Sequence, residues 1–301
     1  MTRLGIDIGG TTVKFGVVDA QFHILEQTAI PTLADRPAEA LIADIAAASK
    51  PLIEKYAPST VGIGSPGSVD PQSGVVLGAG NLPFRNLPLA AYMQDALGLP
   101  VQLENDANCA LIAETVAGVC RGCRDALILT IGTGIGGAIL IDGKIYHGHN
   151  FLAGELGHFV IQHGGRQCIC GLQGCFEQYA SATALIRQTQ EAIEETPESI
   201  LAQLGAAGVD GRTVFAAAEK GCPVADRVLQ NYLAYLATGI NSLTYIFQPQ
   251  KIVLAGGIAK AGSVLTDRLQ PFLIPYANVS LSSLTGNSGI IGAAMLPVFS
   301  K

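Results

Sequence analysis

Cys168, Cys170 and Cys175 form a C-x-C-x4-C set inside the glycine-rich stretch 154–177, and His158 and His163 stand upstream as candidates for a fourth ligand. Thiolates and an imidazole together suit a tetrahedral zinc site. Glu155 and Glu177 bracket the set and could grip a polar substrate. A second group of chemically capable residues is Asp7-Ile8-Gly9-Gly10-Thr11-Thr12, followed by Lys14. Glycines there would let backbone N–H groups approach phosphate, threonine hydroxyls would add donors, and Asp7 could hold Mg²⁺ through water. The turn is neither a Walker loop nor a G-x-G-x-x-G fingerprint. Gly132-Thr133-Gly134 is a similar turn, and two such turns could clamp a polyphosphate. In Glu104-Asn105-Asp106-Ala107-Asn108, Asp106 reads either as a helix N-cap or as a base that takes a hydroxyl proton during attack on phosphorus. Asn105 beside it could hydrogen-bond the same polyol.

These residues need elements to hold them. Residues 4–8 and 13–18 read as strands joined by GGTT, a hairpin with glycine at the tight turn. Residues 37–56 read as an amphipathic helix with Leu41, Ile45, Leu52 and Tyr56 on one face. A short strand at 61–64, a helix at 87–97, a strand at 101–104 and a helix at 107–116 follow. Residues 126–131 open a second strand–turn–strand unit that weakly resembles the first, which suggests two related halves. Residues 228–247 read as a long helix, with leucines, Ile240 and Phe247 on one side. A buried strand at 251–255 leads to Gly256-Gly257, and the small-residue helix around 289–294 could pack closely on a neighbour.

The chain has 301 residues, a net charge of −6 and Lys and Arg scattered singly, so no basic face for nucleic acid is expected. No apolar run has the length and purity of a membrane span, and no signal segment opens the chain, which reads as a soluble cytoplasmic protein. Seven cysteines fit poorly with a disulfide framework in a chain this size. Cys109, Cys120, Cys123 and Cys222 read as small core thiols, with a redox pair or half of a metal site as the lesser alternative for Cys120-x-x-Cys123.

DIGGTTVKFG, GIGSPGSVD, Asn81-Leu82-Pro83, ENDAN, TIGTGIGGA, GELGH, CICGLQGCFE and LAGGI occur in this order. In that order they resemble the ROK family (repressors, open reading frames, kinases) from about residue 4 to the C-terminal GIIGAA. The resemblance implies an α/β, two-domain actin/hexokinase-like ATPase fold of ribonuclease H-like type with an inter-domain cleft. Residues 1–104 plus 288–301 would form a smaller domain carrying the first phosphate turn. Residues 105–287 would form a larger one with the catalytic Asp, the second turn and the zinc cluster. By resemblance Asp106 is the catalytic base, and Asn81, Asn105, Glu155, His158 and Glu177 contact the sugar. Gly9, Gly10, Thr11, Thr12, Thr133 and Gly134 correspond to the two phosphate turns, and Gly256 and Gly257 to the adenosine side. Asp7, as the Mg²⁺ holder, and Lys14 complete the cofactor-binding set. His158, Cys168, Cys170 and Cys175 match the structural zinc ligands, which demotes His163.

The implied activity is ATP-dependent phosphorylation of a hexose, glucose at its 6-hydroxyl first. Fructose, mannose, allose, an N-acetylhexosamine or a β-glucoside are the alternatives. ATP, Mg²⁺ and structural Zn²⁺ are the implied cofactors, and a homodimer is the implied assembly. A sugar-responsive repressor is a second reading, but only six residues precede Asp7, too few for a helix-turn-helix. A silent sugar-binding protein is a third, opposed by the complete set of catalytic positions. Loss of zinc is expected to weaken sugar binding before ATP binding.

Overall fold

The computed structural model describes residues 1–284 and 286–299. In chain order the elements are β1 (Arg3–Ile8), β2 (Thr12–Val18), β3 (Ile24–Pro31), α1 (Ala38–Tyr56), β4 (Val61–Ser65), β5 (Ser68–Asp70), β6 (Val75–Gly78), β7 (Arg85–Leu87), α2 (Leu89–Leu97), β8 (Val101–Asn105) and α3 (Asp106–Val116). The chain continues through β9 (Ala126–Ile131), β10 (Ile135–Ile141), β11 (Lys144–Ile145), α4 (Glu177–Ala180), α5 (Ala182–Glu195), α6 (Ile200–Gly205) and α7 (Thr213–Glu219). It closes with α8 (Pro223–Phe247), β12 (Lys251–Gly256), α9 (Ser263–Leu269), β13 (Val279–Leu281) and α10 (Ser288–Phe299). Backbone contacts divide it into two units. Met1–Arg124, Ala138–Ala153 and Ser283–Lys301 form the first, and Asp125–Gly137 with Gly154–Ser282 the second.

In the first unit the sheet order is β3-β2-β1-β4-β8. β1 to β3 are antiparallel neighbours, whereas β4 and β8 run parallel to β1. That order, with helices between the parallel strands, is the ribonuclease H-like arrangement. Leu41, Ile45 and Leu52 of α1 are buried in the core, as their spacing predicts, and Tyr56 is half-buried. The nearly all-apolar α10 is buried over most of its length because small residues let it approach closely. A side chain on Gly62 would strike the carbonyl of Ala293, and one on Gly292 would strike the carbonyl of Cys109. α3 therefore packs tightly on α10 and falls in the first unit. That division differs from the boundary read from the sequence at 104/105, and residues 285, 300 and 301 of those expected ranges lie outside the described ones.

In the second unit β12 pairs in parallel with β9 on one side and β13 on the other. β9 runs into the Gly132–Gly134 turn, whose ends are tied by Gly132 N–H donating to the Gly134 carbonyl at 2.9 Å. α8 begins at Pro223, five residues before the apolar periodicity becomes visible, because proline suits the first helical turn. Its stripe of Leu229, Leu233, Leu236, Ile240 and Leu243 is buried. Among the described residues all seven cysteines are free thiols, with Cys109, Cys120 and Cys222 buried and Cys123 half-buried. No described helix is long and apolar enough to cross a membrane.

Candidate active site

The first Gly/Thr turn is shaped from behind. Thr32 accepts no exposure, and its backbone N–H and hydroxyl donate to the carbonyls of Thr11 (3.0 Å) and Gly9 (2.7 Å). Asp7 and Lys14 lie directly opposite each other on β1 and β2. Burial pushes the Asp7 carboxyl up, and the Lys14 ammonium pulls it partly back. A carboxylate beside a glycine turn is a hard-oxygen donor suited to a hydrated Mg²⁺. Gly289, at the start of α10, leaves the space this carboxylate fills. Lys14 Nζ donates to the Gly286 carbonyl at 3.3 Å, and the exposed Asn81 rests against Gly10.

At the end of β8 the chain turns into α3, and the cap is Asn105, not Asp106. Asn105 Oδ1 accepts from Ala107 N–H (2.9 Å) and Asn108 N–H (3.1 Å), and its Nδ2 donates to the Gly67 carbonyl (3.0 Å). Asp106 is the first helical residue, half-buried, with Oδ1 accepting from Ala107 N–H at 2.9 Å. A helix N-terminus is a favourable place for a carboxylate, because the free backbone N–H groups and the helix dipole there attract negative charge. Asn105 spends its oxygen on the cap, so only its second amide N–H is left to offer a substrate.

The cysteine stretch lies in the second unit and is set by short backbone ties. Val160 bridges to Cys175, Phe176 N–H donates to the Phe159 carbonyl at 2.9 Å, and Glu177 N–H donates to the Gly157 carbonyl at 2.9 Å. Phe176 is fully buried, its ring filling the space left by Gly239 of α8. That anchor fixes Cys175 and Glu177 on either side of it.

Ligand atoms of His158, Cys168, Cys170 and Cys175 all lie within 4.8 Å of one another. His158 Nδ1 is 3.5 Å from Cys168 Sγ, and Cys170 Sγ is 3.5 Å from Cys175 Sγ. Edges of about 3.7 Å follow from tetrahedral bonds to zinc, so the donor set and its spacing fit Zn²⁺. Burial and the neighbouring thiols push Cys175 up to about 12, while backbone hydrogen bonding lowers Cys170. His163 is exposed and outside this group.

With Nδ1 toward the sulfurs, the other nitrogen of His158 faces Glu155, 3.9 Å away. Glu177 is largely buried, and its carboxylate reaches two ways. Oε1 lies 3.2 Å from Cys168 Sγ, while Oε2 accepts from Ile135 N–H at 3.4 Å and fills the space beside Gly134. The cysteine stretch and the second Gly/Thr turn thus share one side chain. Thr133 at the tip of that turn is exposed. Gly256 has φ +87°, and a side chain there would strike the Ile131 carbonyl one residue before the turn, so glycine is required. Gly257 then opens a short 3₁₀ turn.

Among the sequence-predicted residues, Asp7, Gly9, Gly10, Thr11, Thr12, Lys14, Asn81, Asn105 and Asp106 belong to the first unit, and Thr133, Gly134, Glu155, His158, Glu177, Gly256, Gly257 and the cysteines to the second. Sequence reasoning assigned no role to Thr32, Glu104, His147 or Gly289. Glu104 lay inside a motif already singled out, but its partner His147 stands far along the chain with no local signal.

The sheet order and the paired Gly/Thr turns define a protein with the actin/hexokinase-like ATPase fold. The structure of a ROK family glucokinase from Streptomyces griseus in complex with glucose and AMPPNP matches it with a TM-score of 0.86 at 35% identity, covering 98% of this chain and 99% of that one. A Streptomyces coelicolor glucokinase is 36% identical over 97% of this chain and 96% of its own length. A Thermotoga maritima glucokinase is 34% identical over 97% and 96%. The ROK family model matches residues 3–298, and the chain belongs to the ROK family.

Proposed function

We propose that the chain is an ATP-dependent hexose kinase acting on the 6-hydroxyl of glucose. The observation that carries this reading is the near full-length similarity to glucokinases, one of them crystallised with glucose and a nucleotide analogue. The local geometry supports it, since Asp106 is a half-buried carboxylate at the first position of α3. In this reading Asp106 takes the hydroxyl proton as the sugar oxygen bonds to the γ-phosphorus. The bond from that phosphorus to the β,γ-bridging oxygen breaks, and ADP leaves with the electron pair.

Gly9, Gly10, Thr11, Thr12, Thr133 and Gly134 would hold phosphates, with Gly256 and Gly257 beside the nucleoside. Asn81, Asn105, Glu155, His158 and Glu177 would orient the sugar. Asp7 would hold Mg²⁺ through water, and the ion would supply neutralisation of phosphate charge. His158, Cys168, Cys170 and Cys175 would hold Zn²⁺, whose four protein ligands make its contribution structural. We also read the enzyme as a cytoplasmic homodimer, and light scattering tests the dimer.

The test is ADP release over a panel of hexoses, amino sugars and β-glucosides. Glucose should give the highest kcat/KM. A different sugar leading by an order of magnitude would reassign the substrate while keeping the reaction class. Asp106→Asn should lower kcat by about 10²-fold or more with ATP binding retained. A near wild-type rate in that variant would remove Asp106 as the base.

A further inference from the structure

Glu104 is a carboxylate with only 4% of its surface exposed, one residue before the cap of α3. Each of its oxygens is occupied. Oε1 accepts from Asn105 N–H at 2.8 Å and from Asn108 Nδ2 at 2.9 Å, and Oε2 meets His147 Nε2 at 2.7 Å. These bonds grip the chain immediately before Asp106 and again two residues after it. A buried charge with charge-assisted partners on both sides of one residue leaves that residue little room to shift. His147 comes from the segment after β11, 43 positions away in sequence. Its carbonyl accepts from Ala153 N–H at 3.2 Å, and its ring stands edge-on to Phe151, with centroids 6.4 Å apart. The Phe151 carbonyl in turn accepts from Ser68 Oγ at 3.4 Å. His147 is thus held independently of α3 and can act as a fixed anchor for Glu104.

We propose that Glu104 and His147 are a positioning pair that sets the N-terminus of α3, and with it Asp106, for proton abstraction. The inference rests on the reading of Asp106 as the base. A base works only within about 2.6–3.2 Å of the proton it takes, so small displacements cost rate more than affinity. Neither residue touches substrate in this scheme. Loss of the His147 contact leaves Glu104 an under-partnered buried carboxylate, which relaxes by releasing Asn105 or Asn108.

The experiment compares the full chain with His147→Ala, His147→Gln and Asp106→Asn, reading kcat, both KM values and the melting temperature. His147→Ala should lose about tenfold or more in kcat with KM for ATP within about twofold. His147→Gln, whose amide N–H can still donate to Glu104, should recover most of that loss. Wild-type kcat in His147→Ala would overturn the proposal, and so would a loss that Gln fails to rescue while both variants melt alike. Near wild-type turnover by Asp106→Asn would instead remove the base assignment beneath it.

Discussion

Gly289 stands where any side chain would meet the Asp7 carboxyl group. Gly289→Ala must therefore move Asp7, and the expected result is a severalfold rise in KM for MgATP with KM for sugar little changed. Steady-state kinetics with each substrate varied in turn checks this. His147 makes a prediction about pH. Its hydrogen bond to Glu104 is the main influence raising its pKa, assisted by the charges of Glu104 and Asp70 and opposed by burial. A histidine raised in the folded state contributes stability that is full below the ordinary histidine range and is lost as pH rises through the raised value. The stability difference between wild type and His147→Gln should therefore be largest at mildly acidic pH and shrink toward alkaline pH. Urea titrations across that range would detect it, and a difference that grows with pH would contradict the sign.

At the scale of elements, the cysteine stretch and the second Gly/Thr turn are joined through Glu177. The carboxylate lies against Cys168 at one end and against Gly134 and Ile135 at the other. The family resemblance, which places Glu155, His158 and Glu177 at the sugar, implied that metal loss would reach sugar binding first. In the proposed reading, the shared side chain makes removal of zinc loosen the second Gly/Thr turn as well. Chelation should weaken both glucose and nucleotide affinity by calorimetry, and readdition of zinc should restore both. Unchanged nucleotide affinity in the metal-free protein would return the cluster to a purely sugar-side role. Metal analysis should find about one zinc per chain, the stoichiometry of a single four-ligand site.

For the whole molecule, the first unit is assembled from three chain segments that meet only on folding. Its last segment carries α10, whose residues from Gly289 to Leu296 are buried. α10 touches β1 and β4 through Gly5 and Gly62 and touches α3 through Gly292. Ending the chain at residue 282 should expose that apolar bed and abolish cooperative melting of the first unit, since loss of so much buried apolar surface exceeds the few kcal/mol of net stability a domain holds. Circular dichroism during heating would report it, and a truncated chain that melts like the full one would refute it.

Much of this was legible in the sequence for a physical reason. Short strands ending in glycine turns, a 3.6-residue apolar stripe and clustered thiols are local patterns, and local patterns survive without a fold. The hairpin of β1 and β2, the face of α1, the stripe of α8 and the four-atom His/Cys cluster all follow from residues near one another in the chain. Contacts between distant segments leave no such trace. Asn105 and Asp106 are both good capping residues by type, and only the backbone angles at the β8–α3 junction decided that Asn105 caps. The pairing of Glu104 with His147, the grip of Thr32 on the first turn and the reach of Glu177 to the second required the tertiary structure. Each depends on where a side chain ends after segments tens of residues apart have packed, and no spacing along the chain encodes that.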